Sequence, residues 1–382
     1  MHTYQLLNDP NVRNCGSIAP LRFHWSLSQA GDPYRRTRTT DQQPGLLSLE
    51  DQVALCRQGE RFGIESVLMA IGFARPDPIL LSAAIGLRTD KIKFMVACRS
   101  GLQSPTYFVQ QINTLSAIVN GRVCVNIVSG HTPHELGFYG DVLEHDLRYQ
   151  RTHEFLAICR ALWNGGCENF EGIYYRVQSG KVKIPFVARE NSGPEIFVGG
   201  NSDQALELAL AHGHCLWRFP DTIPRLRPWF ERLQSRRVGA GLLVSLIVRP
   251  TREEALQSAT ALVARFGNDA RAAQRKFYEQ SDAKGFRAIF SAAMNDSAWL
   301  SPCLWTGAVP VLGAPSVALV GSFEEVASAM LEYKTAGIGQ FLFTGWPDIL
   351  EMEYFGKGVL PIVRKMEHAL ELEKQNLKAP QC

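Results

Sequence analysis

The sequence predicts an α/β protein of the (β/α)8 barrel class, with an insertion segment before the last strands. Three observations carry this expectation. Short continuous apolar runs alternate with longer helical patterns along most of the chain, the order of a parallel sheet covered by helices on both faces. Roughly eight such units recur, which suits a closed TIM barrel better than an open sheet. No Gly-, Pro- or Ser-rich linker divides the 382 residues, as the alternative of two doubly wound domains would require.

Each element has its own signal. Residues 1–20 read as an irregular leader, 21–27 (LRFHWSL) as the first strand, and 49–62 as an amphipathic helix closed by Gly63. Strands are expected at 64–70, 92–97 and 123–128, with helices at 78–87, 107–119 and 146–163. Strands at 195–198, 215–217 and 242–248 follow, each succeeded by a helix, at 203–211, 223–235 and 252–266. Strand 317–320, helix 323–336 and strand 340–344 complete the series. The stretch 267–316 carries Gly, Pro, Trp and mixed charge and reads as the insertion, a length usually used as a lid or binding loop. The barrel domain is thus set at 21–366, with a tail at 367–382.

Composition excludes several functions. Hydrophobic residues make up 46% of the chain, so disorder is not expected, and 40 Lys+Arg against 37 Asp+Glu leave +3 with no block of like charge. Nucleic acid and membrane surfaces therefore have no compositional support, and a small-molecule substrate is the expected partner. Neither a signal peptide nor a run of 18 apolar residues is present, which points to a cytoplasmic protein. Nine cysteines without a C-x-x-C pair favour buried reduced thiols over disulfides or a thiolate metal site.

The Walker A, Rossmann, nucleophile-elbow and zincin motifs are all missing. His131, His134 and Glu135 are close in sequence, but Pro133 interrupts a helix there, so turn or ligand-binding histidines are favoured over a metal site. A sharper signal is EIFVGGNSD (195–203), an apolar strand entering two glycines and an Ala/Leu-rich helix. There the backbone N–H groups of Gly200, Asn201 and Ser202, with the Ser202 hydroxyl, can face a phosphate, or Ser202 or Asn201 can serve as a plain helix cap. A second strand, VNIVSGH (125–131), places the polar Asn126 and Ser129 at its end, where a barrel builds its active site. EHDLRY (144–149) leads into a helix and reads equally as an acidic first turn.

Taken in order, NIVSG (126–130), HDLRY (145–149), FEG (170–172), GGNSD (199–203) and LVG (319–321) resemble the bacterial luciferase-like flavin monooxygenases, most closely the alkanesulfonate monooxygenase branch. The resemblance spans about residues 22–365. It implies a two-component FMNH2-dependent monooxygenase, dimeric or tetrameric. Reduced FMN would come from a separate NAD(P)H-dependent flavin reductase and react with O2 through a flavin peroxide. It also implies that Tyr149, Gly200, Asn201 and Ser202 hold the FMN phosphate, that Asn126 and Ser129 lie beside the flavin, and that Met69, Ala97 and Cys98 line neighbouring strand ends. Two alternatives remain, a deazaflavin F420-dependent oxidoreductase and a catalytically silent ligand-binding barrel.

The substrate side departs from the alkanesulfonate pattern. Ala30 stands for a histidine, Arg75 for a cysteine, Leu243-Val-Ser245 for Arg-x-His, Gly345-Trp-Pro-Asp348 for Gly-Tyr-Pro-His, and Leu312 for the mobile-loop arginine. Losing the Arg/His set while gaining Asp348 argues against a simple alkanesulfonate, and favours a small or pathway-specific substrate, free or bound to a carrier protein. Trp25, Phe73, Trp217, Trp305 and Trp346 are candidate apolar walls, since oxygen chemistry on a flavin demands exclusion of water. His24, Arg75, His131, Ser245 and Asp348 are the candidate polar groups; His24, inside the first strand, fits a core position equally well.

Overall fold

The computed structural model describes residues 19–27, 48–73, 75–130, 132–187, 192–294, 297–345 and 348–378; the side chains of 348 and 373–378 are outside the description. Ala30, His131 and Trp346 lie outside the described residues.

The elements run β1 (Arg22–Ser26), α1 (Leu49–Arg61), β2 (Ser66–Met69), α2 (Pro78–Gly86), β3 (Lys93–Cys98), α3 (Pro105–Ile118), β4 (Val123–Ile127), α4 (Pro133–Phe138) and α5 (His145–Trp163). Then come the hairpin β5 (Cys167–Glu171) and β6 (Arg176–Gly180), β7 (Glu195–Gly199), α6 (Asp203–His212), β8 (Cys215–Arg218), α7 (Ile223–Ser235) and β9 (Gly239–Arg249). The chain continues through α8 (Arg252–Ala264), α9 (Asn268–Gln280), α10 (Lys284–Ala293), β10 (Leu304–Trp305), α11 (Val309–Leu312) and β11 (Ala318–Ser322). It ends with α12 (Phe323–Ala336), β12 (Gln340–Gly345), α13 (Asp348–Tyr354) and α14 (Leu360–Lys378), the last crossing residue 366 without a break.

Eight parallel strands, β1, β2, β3, β4, β7, β8, β9 and β12, close into the expected barrel, with β8 returning to β9. The strand expected at 317–320 forms as β11, yet it is not a stave. Strand β8 has four residues and leaves β9 at Leu242, so the upper edge of β9, Ser245–Arg249, is free to pair with β11 instead. The insertion thus ends in a strand that extends the sheet beyond the closed ring. The β5–β6 hairpin, unmarked by any apolar run, is largely exposed and tied down by the Glu154 carboxylate, which accepts the N–H groups of Ile173, Tyr174 and Tyr175.

Inside the barrel the side chains fall in layers. At the N-terminal end Arg22 forks between Glu65 and Glu195, with Lys93 also on Glu65 at 2.9 Å. Burial would raise the Glu65 carboxyl, but the hydrogen bonds and charge of Arg22 hold it well below the usual range. Above lies His24, then an apolar layer of Met95, Cys124, Phe197, Cys215, Trp217 and Leu342 that seals the interior. The alternate side chains of the same strands, such as Phe23, Trp25 and Phe343, face outward into the core beneath the helices. All seven described cysteines are buried thiols.

Candidate functional site

A cavity of about 230 Å³ opens at the C-terminal rim of the barrel, over the ends of β4, β7 and β8. Its floor is apolar: Leu68 from β2, Leu243 from β9, Leu342 from β12 and the Trp217 indole from β8. One wall is Asn126 and the turn Val128–Ser129–Gly130, a second is Gly199–Ser202, and a third is residues 283–286 at the start of α10. His145 and Tyr149 of α5 stand between the first two.

In the loop after β7 one expected donor is otherwise engaged. The Gly200 N–H is not available to a ligand, because it donates to the Trp217 carbonyl at 3.0 Å and so continues the sheet pairing. What Gly200 supplies is space: a β-carbon there would lie 2.6 Å from Ala205 Cβ and 3.0 Å from Tyr149 Oη. The phenol can therefore sit directly on the backbone. Ser202 caps α6, its Oγ accepting the Ala205 N–H at 3.2 Å, and Asn201 Oδ1 accepts the Phe219 N–H at 3.1 Å. Ser202 retains its own proton to donate into the cavity.

The β4 end is fixed by a residue the sequence reading did not single out. Arg148, fully buried, donates to the carbonyls of Ser129 at 3.0 Å and Leu143 at 2.8 Å and to Asp282 Oδ2 at 2.6 Å, so one guanidinium joins the β4 turn, the approach to α5 and the insertion. Gly130, at φ +85°, completes the turn where a side chain would meet Leu136 at 2.7 Å. Two residues of the lining, Asn126 and Trp217, each carry a buried polar atom, Oδ1 and Nε1, with no hydrogen-bond partner among the described residues. An acceptor and a donor left unpaired on one apolar cavity mark a place for a ligand with complementary groups.

The other expected residues distribute differently. Ala97 lies on the inner face of β3 opposite Asn126, whereas Met69 and Cys98 face the helices, and burial pushes the Cys98 thiol up to about 12. Trp25 also faces outward, packed edge-on against Phe343, because it occupies the odd phase of β1. His24 is a satisfied core residue, with Nδ1 on Ser66 Oγ at 2.7 Å and Nε2 on Gln340 Oε1 at 2.9 Å; burial and the Arg22 charge lower it to about 4. Ser245 is wholly buried on the Pro315 carbonyl and the Thr344 hydroxyl and does not reach the cavity. Phe73 is 63% exposed against Phe138, Arg75 stands near Glu135 beside Gly72, and Trp305 and Leu312 pack in a separate cluster on β11. His134 packs on Phe138, and Glu135 pairs with Arg99 at 3.0 Å. Asp348 begins α13.

Arg218 and Lys284 line the cavity but were not expected from sequence. Arg218 had a readable signal, a cation directly after an apolar strand at the catalytic end of a barrel; Lys284 in the insertion had none.

The sequence profile of the luciferase-like monooxygenases matches residues 21–340. Among solved structures, riboflavin lyase RcaE, determined with modified FMN and its substrate riboflavin, superposes with a TM-score of 0.70 at 19% identity, covering 91% of this chain and 92% of that one. EDTA monooxygenase EmoA from Chelativorans sp. BNC1 gives 0.69 at 20% identity over 91% and 94%. The coenzyme F420-dependent tetrahydromethanopterin reductase of Methanopyrus kandleri gives 0.64 at 13% over 90% and 99%.

Proposed function

The chain belongs to the luciferase-like monooxygenase family, and on that premise we propose that it is the oxygenating component of a two-component FMNH2-dependent monooxygenase. The observation that carries this reading is the composition of one cavity: a polar cradle at Tyr149, Asn201 and Ser202 adjoins an apolar floor on which Asn126 Oδ1 and Trp217 Nε1 are unpaired. Those residues suit a flavin mononucleotide. Tyr149, Asn201 and Ser202 would hold its phosphate, and Asn126 and Trp217 would meet its ring system.

A reduced flavin bound there would supply the two electrons by which O2 gives one oxygen atom to the substrate and the other to water. The protein's own part is to orient and to exclude. Leu68, Leu243 and Leu342 keep water from the inner end, and the indole of Trp217 makes a flat wall. Because Leu243 faces that end where an alkanesulfonate enzyme carries arginine, the substrate is not a simple alkanesulfonate but a small or pathway-specific organic molecule, free or carried on a protein. A separate NAD(P)H-dependent flavin reductase delivers FMNH2, and the working unit is a homodimer or homotetramer. Among the described residues no helix is long and apolar enough to cross a membrane, in keeping with a cytoplasmic site of action.

Anaerobic fluorescence titration tests the reading. The protein is expected to purify colourless, to bind reduced FMN more tightly than oxidised FMN, and to consume O2 with a reductase and NAD(P)H once substrate is present. Tight F420 binding with no preference between the FMN states would replace it with the deazaflavin oxidoreductase. Failure to bind either cofactor would leave a ligand-binding barrel.

A further inference from the structure

Arg218 ends β8 and is buried, with the centre of its guanidinium 3.5 Å from the centroid of the Trp229 ring. Stacking occupies the flat face of the guanidinium and leaves its in-plane N–H groups for a partner. Two of its nitrogens, Nε and Nη1, are buried without a hydrogen bond among the described residues. Asp203 and Asp221 contribute charge without bonding it, and burial lowers its pKa to about 10. A buried guanidinium in this state lacks an acceptor.

The cavity wall facing this region comes from the insertion. Helix α10 begins there, and its N-cap, Ala283, provides no side-chain cap for the first turn, which Lys284 and Gly285 open. Gly285 brings this turn against the β7 loop; a β-carbon at 285 would lie 2.6 Å from Asn201 Cβ. Lys284 adds a second cation. The nearest carboxylate on this turn, Asp282, is already bonded to Arg148.

We propose that Arg218, Lys284 and the backbone of Lys284 and Gly285 at the start of α10 form an oxyanion subsite that takes a carboxylate or phosphate handle of the organic substrate, beside the cradle at Asn201 and Ser202. The inference rests on the flavin reading for what occupies that cradle. A handle held here lies at the phosphate end of the cavity, away from the leucine-lined inner end, which separates this substrate class from an alkanesulfonate whose oxyanion sits on the reacting carbon. The insertion then acts as the wall that reads the substrate.

Inorganic phosphate is the probe, followed by calorimetry and tryptophan fluorescence, since Trp229 is stacked on Arg218. The protein without flavin is expected to bind two phosphates, and the protein saturated with FMN one. Arg218→Met, which keeps contact with Trp229, and Lys284→Ala should each weaken the site that survives FMN on the order of tenfold, with FMN affinity unchanged. Ser202→Ala should weaken only the other site. If FMN abolishes all phosphate binding, and Arg218→Met weakens FMN but not riboflavin, Arg218 belongs to the cofactor cradle and the proposal is overturned. A single phosphate site insensitive to Arg218→Met overturns it as well. Should FMN not bind at all while two phosphate sites remain, separately sensitive to Arg218→Met and Ser202→Ala, the flavin reading fails and the oxyanion subsite stands.

Discussion

Ser202 carries two duties that a pair of substitutions can separate. Its Oγ caps α6 through the Ala205 N–H, and its proton is free to donate to a flavin phosphate. Loss of such a cap to alanine costs about 0.5–2 kcal/mol of folded stability, whereas glycine at an N-cap costs only a few tenths. Loss of a hydrogen bond to a charged phosphate costs about 1.5–3 kcal/mol of affinity, roughly a ten- to two-hundredfold rise in Kd for FMN. Ser202→Ala should therefore lower both thermal stability and FMN affinity, and Ser202→Gly should lower the affinity with little change in stability. Riboflavin has no phosphate, so its affinity should be the same in all three proteins. Anaerobic titration of FMNH2 and reduced riboflavin, alongside thermal melts, reads both quantities. Equal losses for the two ligands would place the phosphate elsewhere and refute the reasoning.

Other outcomes follow from the same geometry. His24 is held neutral with a pKa of about 4 against 6.5 in the unfolded chain, so the unfolded state binds the extra proton between these values and stability falls as pH drops through that window. The full loss is about 3 kcal/mol, and urea melts of His24→Gln should lack that acid-dependent part. Gly241→Ala drives a methyl group to 2.2 Å from Trp217 Cζ3, which should destabilise the fold and weaken flavin binding, while Gly86→Ala, 2.3 Å from Val119 Cγ1 on the outer layer, should destabilise without changing flavin affinity. Arg148→Met strands Asp282 and two carbonyls, and should cost about 3–5 kcal/mol in chemical denaturation. Simple alkanesulfonates, supplied with FMN, a reductase, NAD(P)H and O2, should release little sulfite; turnover that disappears in Arg75→Ala would show that a relocated arginine rebuilt the sulfonate site.

The sequence by itself determined the barrel. Apolar runs such as those of β3, β4 and β7 are what strands buried on both faces require, and their alternation with amphipathic helices over roughly eight units favours a closed parallel sheet over an open one. It also located the β7–α6 loop, because two glycines followed by Asn-Ser-Asp have a strong local meaning as a turn and helix cap. Period-two alternation could have assigned Trp25 and Met69 to the outer face, but in a strand apolar on both sides the pattern carries no phase. Only the tertiary structure decided which side faces the interior, and with it that His24 is a core residue and Trp217 a wall of the cavity. It alone placed β11 outside the ring, since that depends on how far β8 extends along β9. Arg148 and the start of α10 escaped the sequence reading, and the position of Arg218 after an apolar strand marked the rim of the barrel without showing its state, for one physical reason. Their significance lies in contacts across 134 residues of chain, as in Arg148 with Asp282, or in a partner that is missing, as at Arg218; neither leaves a local pattern.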